Sequence, residues 1–185
     1  MVFPKRTRYR TRVSGWAVGC LLLCAVVGRA EDFRLESVGA RVGLPANHSS
    51  REFRQAEIFA NWNLPWGWDL GKEWRLQSRL DFSAGWLGDQ GDNAAIGTVG
   101  PTLVLSRERL PISLEGGISP TLLTRSEFPS KDLGMDFQFT CHLGLNWDFA
   151  THWRLSYRYQ HMSNAELASE NPGLNLHMVG LSYVF

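Results

Sequence analysis

The stretch Trp74-Arg75-Leu76-Gln77-Ser78-Arg79-Leu80-Asp81-Phe82-Ser83-Ala84-Gly85-Trp86-Leu87 decides the fold. Its even positions carry Trp74, Leu76, Ser78, Leu80, Phe82, Ala84 and Trp86. Its odd positions carry Arg75, Gln77, Arg79, Asp81, Ser83 and Gly85. A period of two puts these sets on opposite faces of an extended strand. The run is far longer than the roughly five or six residues usual for a strand in a globular domain. Met135–Trp147 repeats the pattern, with Met135, Phe137, Phe139, Cys141, Leu143, Leu145 and Trp147 alternating with Asp136, Gln138, Thr140, His142, Gly144 and Asn146. Trp153–His161 does so again, with Trp153, Leu155, Tyr157 and Tyr159 against Arg154, Ser156, Arg158 and Gln160.

Weaker strands are expected near 34–44, 53–62, 94–107, 112–124 and 175–185, which makes eight, an even number. Strands that cross a bilayer need about 9–11 residues, apolar on one face, and only a closed barrel satisfies their backbone in lipid. The sequence therefore predicts an all-β, eight-stranded antiparallel transmembrane barrel. A soluble lipocalin-like barrel would alternate in the same way with its apolar face inward. Three features favour the membrane: small or charged residues on the polar face, aromatic residues at strand ends, and the C-terminus. With the N-terminus in the periplasm, Trp62, Trp74, Trp147 and Trp153 fall at periplasmic strand ends, with Trp66 and Trp68 in the turn beside them, as an interfacial girdle requires. The chain closes on Leu181-Ser182-Tyr183-Val184-Phe185, which resembles the assembly signal of bacterial outer-membrane barrels.

Composition narrows the classes. With 44% hydrophobic and 12% aromatic residues the chain of 185 is not of the disordered type. Lys+Arg at 19 against Asp+Glu at 18, with no basic block beyond the first residues, gives no nucleic-acid footprint. Lys5, Arg6, Arg8, Arg10 and Arg12 precede an apolar run from Val13 to Val27, then Gly28-Arg29-Ala30. That order reads as a secretory signal peptide, residues 1–30, cleaved after Ala30; the run is short for a membrane anchor. Residues 31–185 are then a single domain. It retains one cysteine, Cys141, and so no internal disulfide. Little lumen survives the side chains of an eight-stranded barrel. Inward Arg41, Glu57, Arg75, Arg79, Asp81, Glu115, Asp136, His142, Arg154 and Arg158 are expected to pack as a polar network, because buried charges need partners, and no pore is expected.

The parity of the last two strands concentrates chemistry on the outer wall. Because Trp153, Leu155, Tyr157 and Tyr159 face lipid, His161 faces it too, and Ser163 follows if the strand continues. Phe185, Tyr183, Leu181 and Val179 bring His177 and Asn175 to the same face. A Ser two residues from a His on one strand face lies within reach of the imidazole, the nucleophile–base pair of acyl transfer. An interfacial His beside a turn Ser would give the same pattern. Polar groups on a lipid-facing wall are, however, costly without a role.

Tyr159-Gln160-His161-Met162-Ser163-Asn164-Ala165, then Asn171-Pro172-Gly173-Leu174-Asn175, then Gly180 to Phe185, closely resembles the PagL-type lipid A 3-O-deacylases. The resemblance is dense over about the last 30 residues. It implies an outer-membrane esterase, in a Gram-negative bacterium, that removes the ester-linked 3-hydroxyacyl chain at the 3-position of lipid A without metal or cofactor. It assigns His161 as general base, Ser163 as nucleophile and Asn164 as a contributor to the oxyanion hole. Two positions depart from the family pattern. Asn175 stands where the acidic triad member is usual, and Glu166 replaces the Gly after Ser-Asn-Ala. Asn175 can orient the imidazole, whereas Glu166 or Glu170 could supply a carboxylate from the loop. The implied partners are lipid A or lipopolysaccharide and outer-membrane lipid, with no nucleic acid; a homodimer is among the assemblies allowed. A non-catalytic barrel, such as an adhesin or envelope-stabilising protein, and an acyltransferase-type barrel are the competing expectations.

Overall fold

The computed structural model describes residues 33–185, so the predicted leader 1–30 lies outside the described residues. In chain order the strands are β1 (Arg34–Pro45), β2 (Phe53–Gly71), β3 (Trp74–Asp89), β4 (Asp92–Arg107), β5 (Ile112–Leu123), β6 (Glu127–Phe128), β7 (Lys131–Asp132), β8 (Phe137–Ala150), β9 (Trp153–Ser163) and β10 (Leu174–Val184). The eight long ones pair antiparallel with their neighbours, and β1 pairs with β10 to close the barrel. The short β6 and β7 form a separate hairpin in the β5–β8 connection. Closure leaves no unpaired sheet edge, which is the condition for strands in hydrocarbon.

The alternation resolves in the sense that distinguishes a membrane barrel from a soluble one. Val42, Ile58, Leu103, Ile118, Leu143 and Leu181 are exposed on the outer wall, while Arg41, Glu57, Asp81, Glu115, Arg154 and Arg158 are buried inside. Arg41 bonds Glu57 and reaches Asp81 at 3.4 Å. Arg158 spans Asp81 at 3.1 Å and Glu115 at 2.9 Å. Nearer the barrel end where β1 starts and β10 finishes, Glu36 joins Arg79 at 2.8 Å and Arg154 at 2.7 Å. Room for these long side chains comes from small residues beside them: a Cβ on Gly144 would meet the Arg158 Cβ at 2.8 Å. Each charge here is buried with a partner, so removing one leaves the others uncompensated. Asp81→Ala is expected to destabilise the barrel by about 3 kcal/mol. That loss would be read as a lower midpoint in the heat-induced mobility shift on gels, and an unchanged midpoint would mean that the network does not stabilise the fold.

Three particulars differ from the sequence expectation. Asp136 is exposed at the rim, because β8 begins only at Phe137 and the inward parity does not extend back to it. Trp66 and Trp68 lie within β2, not in a turn. The β2–β3 pairing is interrupted between Asn63 and Gly67 and resumes with Gly67 opposite Gln77. Gln77 Nε2 donates to the Leu64 carbonyl and Ser78 Oγ to that of Trp66, replacing ladder bonds. Finally, the interior is not polar throughout. At the loop end, Phe53, Leu87, Met162, Leu174, Leu176 and Met178 form a buried apolar plug, closed from above by Phe128 and Leu133 of the β6–β7 hairpin region.

Candidate active site

His161 and Asn175 meet where β9 and β10 reach the loop end of the barrel, with Ser163 two residues further along β9. Asn175 is the direct cross-strand partner of His161, a register that sequence parity could not supply. His161 Nδ1 lies 2.8 Å from Asn175 Oδ1. The same oxygen accepts the Tyr159 hydroxyl at 2.9 Å, and the Asn175 backbone N–H donates to Ser50 Oγ at 3.1 Å. With the amide oxygen facing the ring, Nδ1 carries the proton and Nε2 is left as the acceptor. Ser163, two residues along the same strand face, makes no side-chain hydrogen bond among the described residues, so its hydroxyl is free to turn toward the ring.

The loop that follows is built around Asn164, which is fully buried. Its Nδ2 donates to the carbonyls of Leu133, at 3.1 Å, and Glu170, at 2.6 Å. Its Oδ1 accepts from the Glu166 N–H, and its own N–H donates to Asn171 Oδ1. The donors of Asn164 are therefore committed to the loop itself. Ala165 and Glu166, next in the chain, have positive φ values of 55° and 66°, so Asn164 braces a left-handed turn beside the serine. Glu166 and Glu170 are exposed and have no bond to His161.

Gly173 packs against the imidazole and is itself held by the β6–β7 hairpin. Gly173, at φ +64°, packs so closely that a Cβ there would lie 2.9 Å from His161 Cε1. Its carbonyl accepts Lys131 Nζ from the β6–β7 hairpin at 2.7 Å. Burial holds the Lys131 pKa below the ordinary lysine value, opposed by Asp89. Ser130 N–H in turn donates to Asp89 Oδ2 at 2.8 Å, tying the hairpin to β3. Sequence reasoning missed Ser50 and Lys131 as parts of the site, because their contacts cross 125 and 42 positions of chain; Tyr159 and Gly173 stood in the quoted runs without a role.

Cys141 is also there: exposed and unpaired, it stands directly opposite His161 on β8. The imidazole thus has a thiol on one side strand, an amide on the other and a hydroxyl along its own strand. Such a set provides a base of fixed tautomer beside a nucleophile, the arrangement of covalent acyl transfer. Among the described residues no three His, Cys, Asp or Glu side chains gather as metal ligands do.

Comparison with known proteins bears on the family and the fold. Residues 55–184 match the family model described as lipid A 3-O-deacylase (PagL). The lipid A deacylase PagL of Bordetella bronchiseptica (strain ATCC BAA-588 / NCTC 13252 / RB50) is 36% identical over 72 residues, which cover 39% of this chain and 40% of that protein. The match thus spans about two fifths of that relative's length. A crystal structure of the outer membrane enzyme PagL superimposes with a TM-score of 0.67 at 22% identity, covering 79% of this chain and 97% of the other; it shares the fold.

Proposed function

The chain belongs to the lipid A 3-O-deacylase (PagL) family, and from that premise we propose that it is an outer-membrane esterase that removes the 3-hydroxyacyl chain from the 3-position of lipid A. The observation that carries this reading is the His161–Asn175 bond on the lipid-facing wall. Acyl esters of lipid A are presented from the bilayer, so a base and nucleophile on the outside of the barrel meet them without a lumen.

In this reading Ser163 Oγ attacks the ester carbonyl while His161 Nε2 takes its proton. The imidazolium then protonates the departing sugar oxygen, leaving the acyl group on Ser163. Water, deprotonated by the same nitrogen, attacks the acyl-serine and frees a 3-hydroxy fatty acid. Asn175 holds the ring tautomer as the third member. Asn164 contributes to the oxyanion hole through the backbone it braces, with the Ala165 N–H as the donor available in the turn, since its own donors are taken by the loop. Stabilisation of the oxyanion by preset donors is a large term in acyl transfer. Ser163 rather than Cys141 is the nucleophile because it sits in the His-x-Ser-Asn run that the family resemblance covers.

Mass spectrometry of lipid A from cells expressing the protein tests the reading. Loss of one 3-hydroxyacyl group supports it. An unchanged spectrum favours a non-catalytic barrel, and a gain of mass favours acyl transfer. A second check bears on ring placement. Gly173→Ala forces a side chain into left-handed backbone and against His161 Cε1, so hydrolysis should fall at least about tenfold while barrel migration on gels is unchanged. Full activity in that variant would mean that Gly173 does not set the imidazole.

A further inference from the structure

One rung below the His161–Asn175 pair, toward the periplasm, a second polar pair faces outward. His177 of β10 stands opposite Tyr159. The Tyr157 hydroxyl lies 2.8 Å from His177 Nδ1. The two rings stack, with centroids 5.9 Å apart and planes inclined by 25°, and the Tyr159 ring meets the same imidazole edge-on. The two rungs are built alike: each β9 tyrosine reaches diagonally to the β10 side chain one pair nearer the loops, Tyr159 to Asn175 and Tyr157 to His177.

The upper rung is accounted for by the site. The lower one is not. The Tyr157 hydroxyl engages Nδ1 whichever of the two carries the hydrogen, so Nε2 is the free ring nitrogen, and no partner meets it among the described residues. The surroundings on this face are apolar: Leu44 pairs with His177 from β1, and Leu143 pairs with Tyr159 from β8, both exposed. A ring nitrogen left without a partner in a wall that faces hydrocarbon is costly, and a polar atom of a bound lipid is suited to complete it.

We propose that His177, held by Tyr157, is a specificity-determining residue that hydrogen-bonds the hydroxyl on the third carbon of the acyl chain being removed. This rests on the deacylase reading of Ser163 and His161. An acyl chain whose ester carbonyl sits at those two residues descends along the same face toward the bilayer centre. The hydroxyl oxygen on the third carbon lies at most about 3.7 Å from the ester carbonyl carbon and so falls between rungs that are roughly 6.5–7 Å apart, and a hydrogen bond of about 2.8 Å carries it to His177 Nε2. An unsubstituted chain offers nothing there and leaves Nε2 unpaired, and sites built to bond a substrate hydroxyl discriminate in this way.

The test compares two synthetic lipid A analogues in mixed micelles, one with a 3-hydroxytetradecanoyl and one with a tetradecanoyl ester at the 3-position. The wild-type protein should favour the hydroxylated ester by about tenfold or more in kcat/KM. His177→Phe keeps the ring and removes Nε2; it should lower the rate on the hydroxylated ester about tenfold and leave the plain ester within about twofold. His177→Gln, which restores a polar group, should recover part of the preference. Equal losses on both esters, or an undiminished preference in His177→Phe, would overturn the assignment, as would a wild-type protein without preference. Hydrolysis of neither ester by a wild-type barrel that migrates as folded would instead overturn the deacylase reading on which it stands.

Discussion

Ser163→Ala and His161→Ala should each reduce ester hydrolysis by about 10⁴-fold or more, with the barrel's heat-modifiable migration unchanged. Residues that act as one unit in acyl transfer cost nearly the whole effect when removed singly. Both side chains are outward, and neither takes part in the interior network of Arg41, Asp81, Glu115 and Arg158. Loss of activity will therefore not be a loss of fold. The informative control is Cys141→Ala. The thiol pairs across the sheet with His161, so geometry alone gives the ring two nucleophiles to choose between. Full activity in Cys141→Ala with none in Ser163→Ala assigns the hydroxyl. The opposite result would hand the step to the thiol and make the centre a Cys-His-Asn site, for which an amide third member is ordinary.

Asn175→Asp should raise kcat by at least about tenfold. A carboxylate at this position keeps the 2.8 Å contact to Nδ1 and adds what an amide lacks, a charge that stabilises imidazolium during attack; in a serine protease the reverse change cost about 10⁴. The longer Asn175→Glu should preserve or raise activity. Glu166 and Glu170 are exposed and neither carboxylate bonds His161 or Asn175, so little like-charge repulsion offsets the gain. Glu166→Ala and Glu170→Ala should accordingly be silent. A damaging loop variant together with a flat Asn175→Asp would transfer the role to that glutamate. Tyr159→Phe sharpens the result. An amide works only with its oxygen toward the ring, whereas a carboxylate has no wrong face. The tyrosine hydroxyl, 2.9 Å from that oxygen, should thus matter more in the wild type than in an Asn175→Asp background, a non-additivity that a purely structural role would not produce.

Period-two alternation is the part of this molecule that a sequence states openly. It made β3, β8 and β9 legible, and parity carried from Tyr157 to Ser163 and from Phe185 back to Asn175 put the chemistry on the outer wall. What parity cannot give is register. That His161 faces Asn175 on one side and Cys141 on the other depends on the length of two connections, not on any residue in the strands. Irregular segments were less legible still. The β6–β7 hairpin shows no periodic signal, yet it delivers Lys131 to Gly173 and Leu133 to Asn164. The turn expected at Trp66 and Trp68 is instead a continuation of the bulged β2–β3 hairpin. Asn164 shows the difference between a motif and its physics: the resemblance marks it as part of the site, and the structure shows its side chain bracing the loop.

A nucleophile mounted on the convex side of a sealed barrel has a kinetic consequence. Such a group meets only molecules dissolved in the same leaflet, so encounter is a problem of two-dimensional diffusion. The concentration that matters is a mole fraction among lipids, not an amount per volume of buffer. Rates measured in detergent should then follow surface dilution. Adding inert detergent at constant bulk substrate should slow turnover, and enlarging the assay volume at constant micelle composition should leave the rate per enzyme unchanged.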